Sequence, residues 1–299
     1  MTIINQEYLR DESRSVGAAD AITFARSEAE IRAVLEAASS QRLPVTIQGA
    51  RTGLAGGAVP QGGQIINLSK MNRIVGLRHD ALEDSFSLIV EPGVLLTEVR
   101  KILASKVFDT TDWSEQSLQA LAVFKTRGAY MFSPDPTETS ATLGGMVACN
   151  ASGARSFYYG ATRDHIKALR IMIMDCSILY LKRGAREVEN GAFSFKTLEG
   201  KALHGALPQY PMPDVKDASG YYVKRDMDMI DLFIGAEGTL GVITEIELHL
   251  LPTPPAVWGV TVFFPTEECA VLFVRVVRGE VIRERSEEHT SELQSRHNL

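Results

Sequence analysis

The chain has 299 residues, 45% of them hydrophobic, and a formal net charge of −6. That length and apolar content suffice for one large domain or two smaller ones, and the acidic balance argues against a nucleic-acid partner, which needs a basic face. It contains neither a long apolar run nor a charged-then-apolar leader, so we expect no transmembrane segment and a cytoplasmic location.

Residues 1–20 are polar and mixed in charge and read as an N-terminal arm. A short strand follows at Ile22 to Phe24. Ser27, with Glu30 three residues on, is a capping-box signature that opens a helix, and Ile31, Val34, Leu35 and Ala38 give that helix one apolar face. The next strand, Val45 to Ile47, runs straight into "GARTGLAGGAVP". After it come the strand-like "QIINL", the alternating "FSLIVEPG" and the amphipathic "LLTEVRKILAS". The pattern weakens between about 108 and 131, which we read as a helical insertion on the surface. A second strand-rich half contains "HIKALRIMIMDCSILYLKRG", two apolar runs split at Asp175. It ends in "GVITEIELHLLPTPP", where Val242, Thr244, Ile246, Leu248 and Leu250 share one face at period two. Pro252 to Pro255 breaks the pattern as a linker. Beyond it, "VWGVTVFFPTEECAVLFVRVVRG" reads as a strand and an amphipathic helix.

Three glycine-rich segments punctuate these elements. In the first, Gly49, Gly53, Gly56 and Gly57 lie among small residues, with no acidic side chain from Gln48 to Gly63. Such a loop can offer consecutive backbone N–H groups to a pyrophosphate. It is neither GxGxxG nor a Walker loop, since no helix follows at once and no Lys follows the glycines. A solvated turn is the plainer reading. The second segment, "SPDPTETSATLGGMVACNASGARSFYYGATRDHI", mixes glycines with Thr142, Asn150 and Ser152 as hydrogen-bonding groups. In the third, "LFIGAEGTLGVITEIELHL", Gly235, Gly238 and Gly241 precede a strand.

Taken in order, "GARTGLAGGAVP", "TLGGMVACNASGARSFYYGATRDHI" and "GAEGTLGVITEIEL" resemble the PCMH-type FAD-binding domain of the FAD-linked oxidases, of the vanillyl-alcohol oxidase fold. The resemblance is to the branch that holds glycolate oxidase subunits and D-lactate or D-2-hydroxyglutarate dehydrogenases. It implies an α+β fold: an FAD-binding domain of two α+β subdomains over residues 21–251, then the start of a cap domain at 256–284. By that resemblance Gly49, Ala50, Arg51, Thr52, Gly53 and Leu54 would wrap the FAD pyrophosphate. Asp135, Thr142, Gly144, Gly145, Asn150, Ser152, Gly153 and Gly160 would hold the ribityl chain and pyrophosphate, and Val242 and Ile243 would meet the flavin or adenine edge through backbone groups. Some relatives carry a flavin-linking His in the first loop; here Ala50, Arg51, Thr52 and Gly53 stand there, so noncovalent FAD is expected. Arg51 is either a solvated loop cation or a phosphate contact.

The implied chemistry is oxidation of a small 2-hydroxy-acid substrate such as glycolate, D-lactate or D-2-hydroxyglutarate by hydride transfer to flavin N5. A quinone, an electron-transfer flavoprotein or oxygen would be the electron acceptor. No residue is assigned as the catalytic base. A flavin-binding or electron-transfer subunit with no substrate site of its own is the alternative, and reduction of a nucleotide-sugar enol ether is a third reading. The family's cap supplies substrate and metal-binding histidines, and only its first strand and helix are expected here. We therefore expect the chain to bind FAD weakly, to self-associate and to turn over no 2-hydroxy acid. Residues 285–295, "RSEEHTSELQS", match the first-frame translation of a common sequencing adapter, and the residues beyond fit a sample index followed by further adapter bases, so 285–299 are expected to be non-native, which removes His289 and His297 from consideration. His79, His165, His204 and His249 show no ligand spacing, so no metal site is expected. Cys149, Cys176 and Cys269 form no CxxC pair and are expected to be small buried apolar residues.

Overall fold

The computed structural model describes residues 4–185, 187–213 and 215–279. A first compact unit runs to Thr253 and a second begins at Pro254. The first is α+β and is built on three sheets.

The smallest layer is parallel. Strands β1 (Ala21–Phe24) and β2 (Val45–Gln48) flank β3 (Gln64–Asn67), with Ala21 and Val45 both opposite Gln64. Helix α1 (Glu28–Gln41) makes the crossover between β1 and β2, and the Ser27 hydroxyl accepts the Glu30 N–H as the spacing predicts. Its apolar stripe, Ile31, Leu35 and Ala38, is buried, with Ile31 and Leu35 clustered with Ile66, Leu68, Met172, Ile178 and Val242. That cluster joins the small layer to a larger one.

The larger layer is antiparallel, in the order β4 (Ile74–Asp80), β5 (Ser85–Val90), β12 (Val242–Pro252), β7 (Ile166–Met172), β8 (Ile178–Lys182), and β6 (Tyr130–Met131) pairs with the end of β12. The 11-residue β12 is central, and its period-two face of Val242, Thr244, Ile246, Leu248 and Leu250 is buried throughout. Helix α2 (Leu96–Ser105) buries Leu96, Val99 and Leu103 in the main core. The third sheet, β9 (Val188–Glu189), β10 (Ala192–Lys196) and β11 (Ala202–Ala206), is a small antiparallel hairpin layer.

The segment read as a surface insertion is helical but not superficial. Helix α3 (Glu115–Thr126) buries Ala120, Leu121 and Phe124, with Phe124 at 0% exposure, and the Trp113 indole donates to Ile74 O at 2.8 Å. The outward polar residues hid an apolar stripe that covers β4. In the second unit, a helix (Glu267–Val277) forms with the Thr266 hydroxyl accepting the Cys269 N–H, whereas the strand expected around Val260 and Val262 does not form. A strand exists only through pairing, and among its described residues this unit holds no second strand. The expected non-native tail, 285–299, lies outside the described residues. No described helix is long and apolar enough to cross a membrane.

Candidate functional site

The three glycine segments, far apart in sequence, meet in space. A Cβ added at Gly49 would stand 2.1 Å from Thr142 Oγ1, one at Gly57 would stand 2.7 Å from Glu237 Oε2, and one at Gly238 would touch Ile47 at 3.4 Å. The Gly235 and Glu237 N–H groups donate to Val147 O and Ala148 O, each at 2.9 Å. The first segment thus faces both others, and the second and third are bonded to each other.

The first loop leaves β2 and turns back at Gly56 (φ 82°), with Arg51 also at positive φ (62°). Buried Gln48 closes its base, its amide donating to Tyr8 O and Ala58 O at 2.8 Å each. The Arg51 guanidinium lies 4.4 Å from the centre of the Tyr8 ring, so this cation packs on the N-terminal arm rather than standing free in solvent. Among the described residues, no protein acceptor receives the N–H groups of Ala50 through Gly57. Consecutive unclaimed donors with no carboxylate of their own suit an anion such as a diphosphate. Gly53 meets nothing within 4 Å and its φ is not positive, so its lack of a side chain answers no demand of the fold.

The second segment contrasts with this. Helix α4 (Leu143–Ala148) is capped by Thr142, which is 2% exposed. The Leu143 and Gly144 N–H groups donate to Val94 O and Pro92 O at 2.8 Å, and Gly145 N–H donates to Thr142 Oγ1 at 3.4 Å. The first amides of α4 are therefore spent within the protein. Gly144 packs on Pro92, a Cβ at Gly153 would fall 1.5 Å from Asp135 O, and one at Gly160 would fall 2.2 Å from Asp164 Oδ2. These three glycines permit close approach of the chain to itself. The Asp135 carboxylate is held by Arg100 and, at 3.5 Å, by Arg155. Asn150, at φ 46°, accepts the Arg163 N–H through Oδ1 at 2.9 Å, and Ser152 lies half-buried two residues on.

In the third segment Val242 pairs with Met172 and Ile243 with Ile171, while the ladder to β5 begins only at Ile246. The start of β12 therefore extends past β5 with one backbone edge outside that ladder. The side chains of Val242 and Ile243 point into core clusters, so only their backbone groups remain for a ligand.

Several residues around the site carry no motif signal. Arg163 donates to Asp231 O and Ile234 O at 2.5 Å and to Asp231 Oδ1 at 3.1 Å, and stacks 4.1 Å over Tyr222, fixing the chain just before Gly235. Burial pulls its pKa down against the opposing pull of Asp231. The cysteines divide: Cys176 is buried as expected, but Cys149 and Cys269 are exposed. Cys149 sits beside the site at the end of α4, where surrounding protein desolvates it and Glu237 and Asp11 add negative potential, pushing its thiol up to about 11.

The profile of the FAD binding domain family matches residues 19–122 and 116–182. Among curated proteins, the chain is 33% identical to a D-lactate dehydrogenase of Anaerostipes hadrus over 89% of its own length and 44% of that protein's. It is 30% identical to a D-2-hydroxyglutarate dehydrogenase of Xanthomonas citri pv. viticola, over 79% of this chain and 37% of that one. With the glycolate oxidase subunit GlcD of Bacillus subtilis it shares 27% identity, again over 79% and 37%. The chain thus spans less than half the length of these curated relatives. A solved alkyldihydroxyacetonephosphate synthase superposes with a TM-score of 0.53 at 18% identity, over 87% of this chain and 37% of that one, a likeness of fold.

Proposed function

Because the chain belongs to the FAD binding domain family and its cofactor is accordingly FAD, we propose that it is the flavin-carrying part of an oxidoreductase acting on a small 2-hydroxy acid. The observation that carries this reading is the row of unclaimed amides from Ala50 to Gly57, set opposite Thr142 and Glu237. A protein of net charge −6 has no general positive field to attract a diphosphate, so local N–H dipoles must supply the attraction.

In this reading the Ala50–Gly57 amides bind the diphosphate, and Gly53 lets it approach. Thr142 keeps α4 capped and backs Gly49, while Gly144, Gly153 and Gly160 let the second segment fold tightly enough to form a wall. Asn150 and Ser152 offer side-chain hydrogen bonds, and the open edge of Val242 and Ile243 offers backbone groups. Asp135 is shared between Arg100 and Arg155, so its role toward the cofactor is to place those cations. Bound FAD would supply two-electron redox chemistry, which the protein orients and shields. In this reading FAD is held noncovalently, since Ala50, Arg51, Thr52 and Gly53 put no flavin-linking His in the first loop. Names among the relatives, D-lactate and D-2-hydroxyglutarate dehydrogenase and a glycolate oxidase subunit, support a 2-hydroxy acid as substrate of the whole protein. A quinone or an electron-transfer flavoprotein is the proposed acceptor.

Titration of the purified chain with FAD, followed by quenching of flavin fluorescence, is expected to saturate, and acid precipitation should leave the yellow colour in the supernatant. Absence of saturation would refute the cofactor reading, and colour in the pellet would refute noncovalent binding. For the gene product expressed at the length of its relatives, anaerobic D-lactate, glycolate or D-2-hydroxyglutarate should bleach the flavin. Failure of all three would remove the substrate class.

A further inference from the structure

The first glycine loop is carried by the small parallel sheet, whereas the second and third are carried by the large antiparallel one. A ligand touching all three depends on how those two layers are docked. Apolar packing of Ile31, Leu35 and Ile66 against Met172, Ile178 and Val242 holds them together but is non-directional and tolerates sliding. A directional lock lies at the edge of that contact. Glu28, in the first turn of α1, accepts Arg170 Nε on Oε1 at 2.6 Å and Arg170 Nη2 on Oε2 at 2.9 Å, while the Thr244 hydroxyl donates to Oε1 at 2.6 Å. Arg170 stands on β7 and Thr244 on β12, two residues beyond Val242.

We propose that the Glu28–Arg170–Thr244 junction is a positioning device for the cofactor cradle, setting the register of the Ala50–Gly57 amides against the α4 and β12 walls. The proposal rests on the FAD reading above. A bidentate carboxylate–guanidinium pair fixes two planes relative to each other, which a lone Lys–Glu contact does not. The Thr244 hydroxyl adds a third direction, and its single proton, given mainly to Glu28, is shared with Arg170 O at 3.3 Å, next to Ile171, the partner of Ile243. Glu28 and Arg170 are 27% and 29% exposed, so the junction is neither a core ion pair whose loss unfolds the chain nor a free surface pair of negligible effect. Its action is through the relative placement of elements. None of its three side chains needs to touch the cofactor.

The test is a double-mutant cycle on the full chain, reading the FAD dissociation constant and the melting temperature together. Glu28→Gln and Arg170→Gln are each expected to weaken FAD binding about tenfold, with the double variant no weaker than either single, because both remove one coupling. Thr244→Val should weaken it less. Arg78→Gln, which breaks the Arg78–Glu247 pair between strands of the large sheet alone, should leave the FAD constant unchanged whatever it does to melting. Wild-type affinity in Glu28→Gln, with or without a fall in melting temperature, would overturn the positioning role while leaving the FAD reading intact. Additive losses in the double variant would also overturn it. No FAD binding by the wild-type chain would instead overturn the reading on which the proposal rests.

Discussion

Glycine has two physical uses in this chain, and individual residues separate them. At Gly153 the backbone of Asp135 occupies the space a side chain would need, whereas at Gly53 the space is open. Gly153→Ala should therefore destabilise the fold by roughly 2 kcal/mol or more, through a clash with backbone that cannot rotate away. Gly53→Val should leave the melting temperature unchanged while weakening FAD binding at least about tenfold, since the added methyls obstruct only a ligand. Equal FAD constants for Gly53→Val and wild type would reduce the first loop to a turn. The two enclosed histidines make a second residue-scale prediction. His165 Nε2 lies 2.7 Å from Tyr159 O and 2.8 Å from Ser133 Oγ, while its Nδ1 and that of His249 are buried with no hydrogen-bond partner among the described residues. Burial lowers both pKa values; the Tyr159 carbonyl opposes this at His165, and Lys167 reinforces it at His249. With folded values below the unfolded value of about 6.5, the unfolded chain takes up more protons as pH falls through that point, so stability present at neutral pH is lost on acidification. Melting temperature should fall from pH 7.5 to 5.5, and the slope should flatten in the His165→Gln/His249→Gln double variant. An unchanged slope there would assign the loss to other groups.

Among the elements, α3 shows how a polar exterior conceals a structural part. Its Phe124 packs edge-on against Phe86, with ring centres 5.1 Å apart, and Trp113 anchors the approach to the helix on Ile74. A helix laid on the surface would tolerate truncation there. Phe124→Ala should instead destabilise by about 3–5 kcal/mol, the cost of an aromatic cavity in a packed core, measured as a shift in the urea midpoint. A change below about 0.5 kcal/mol, ordinary for surface sites, would return α3 to the role of an insertion. The strands and first helices were legible because their signals are local: the Ser27 cap, the stripe Ile31–Leu35–Ala38, and the period-two face of β12. Around Val260 the same kind of signal misled, since a strand needs a partner and the pattern of one segment cannot supply it.

At the scale of the molecule, the unit ending at Thr253 carries every proposed cofactor contact. Within the second unit Val257, Trp258 and Phe263 are 80–89% exposed, a concentration of apolar surface that favours association. A chain ending at Thr253 is expected to keep the FAD constant of the 299-residue chain and to scatter less light at equal concentration. A loss of FAD binding would show that residues beyond Thr253 belong to the cradle.

What the sequence by itself determined was the material of the site: three glycine segments in a fixed order, no carboxylate in the first, and strands alternating in burial at period two. These follow from short-range rules of sterics and apolar periodicity, which act within a few residues. Only the tertiary structure decided which amides remain for a ligand. Gly144 and Gly145 sit beside a helix N-terminus, yet their N–H groups are taken by Pro92 O and Thr142 Oγ1, while the loop from Ala50 to Gly57 donates to no described protein acceptor. It also decided that Gly153 answers to Asp135 and that Glu28 meets Arg170 from 142 residues away. Such pairings depend on how two sheets dock, and no local pattern encodes that distance.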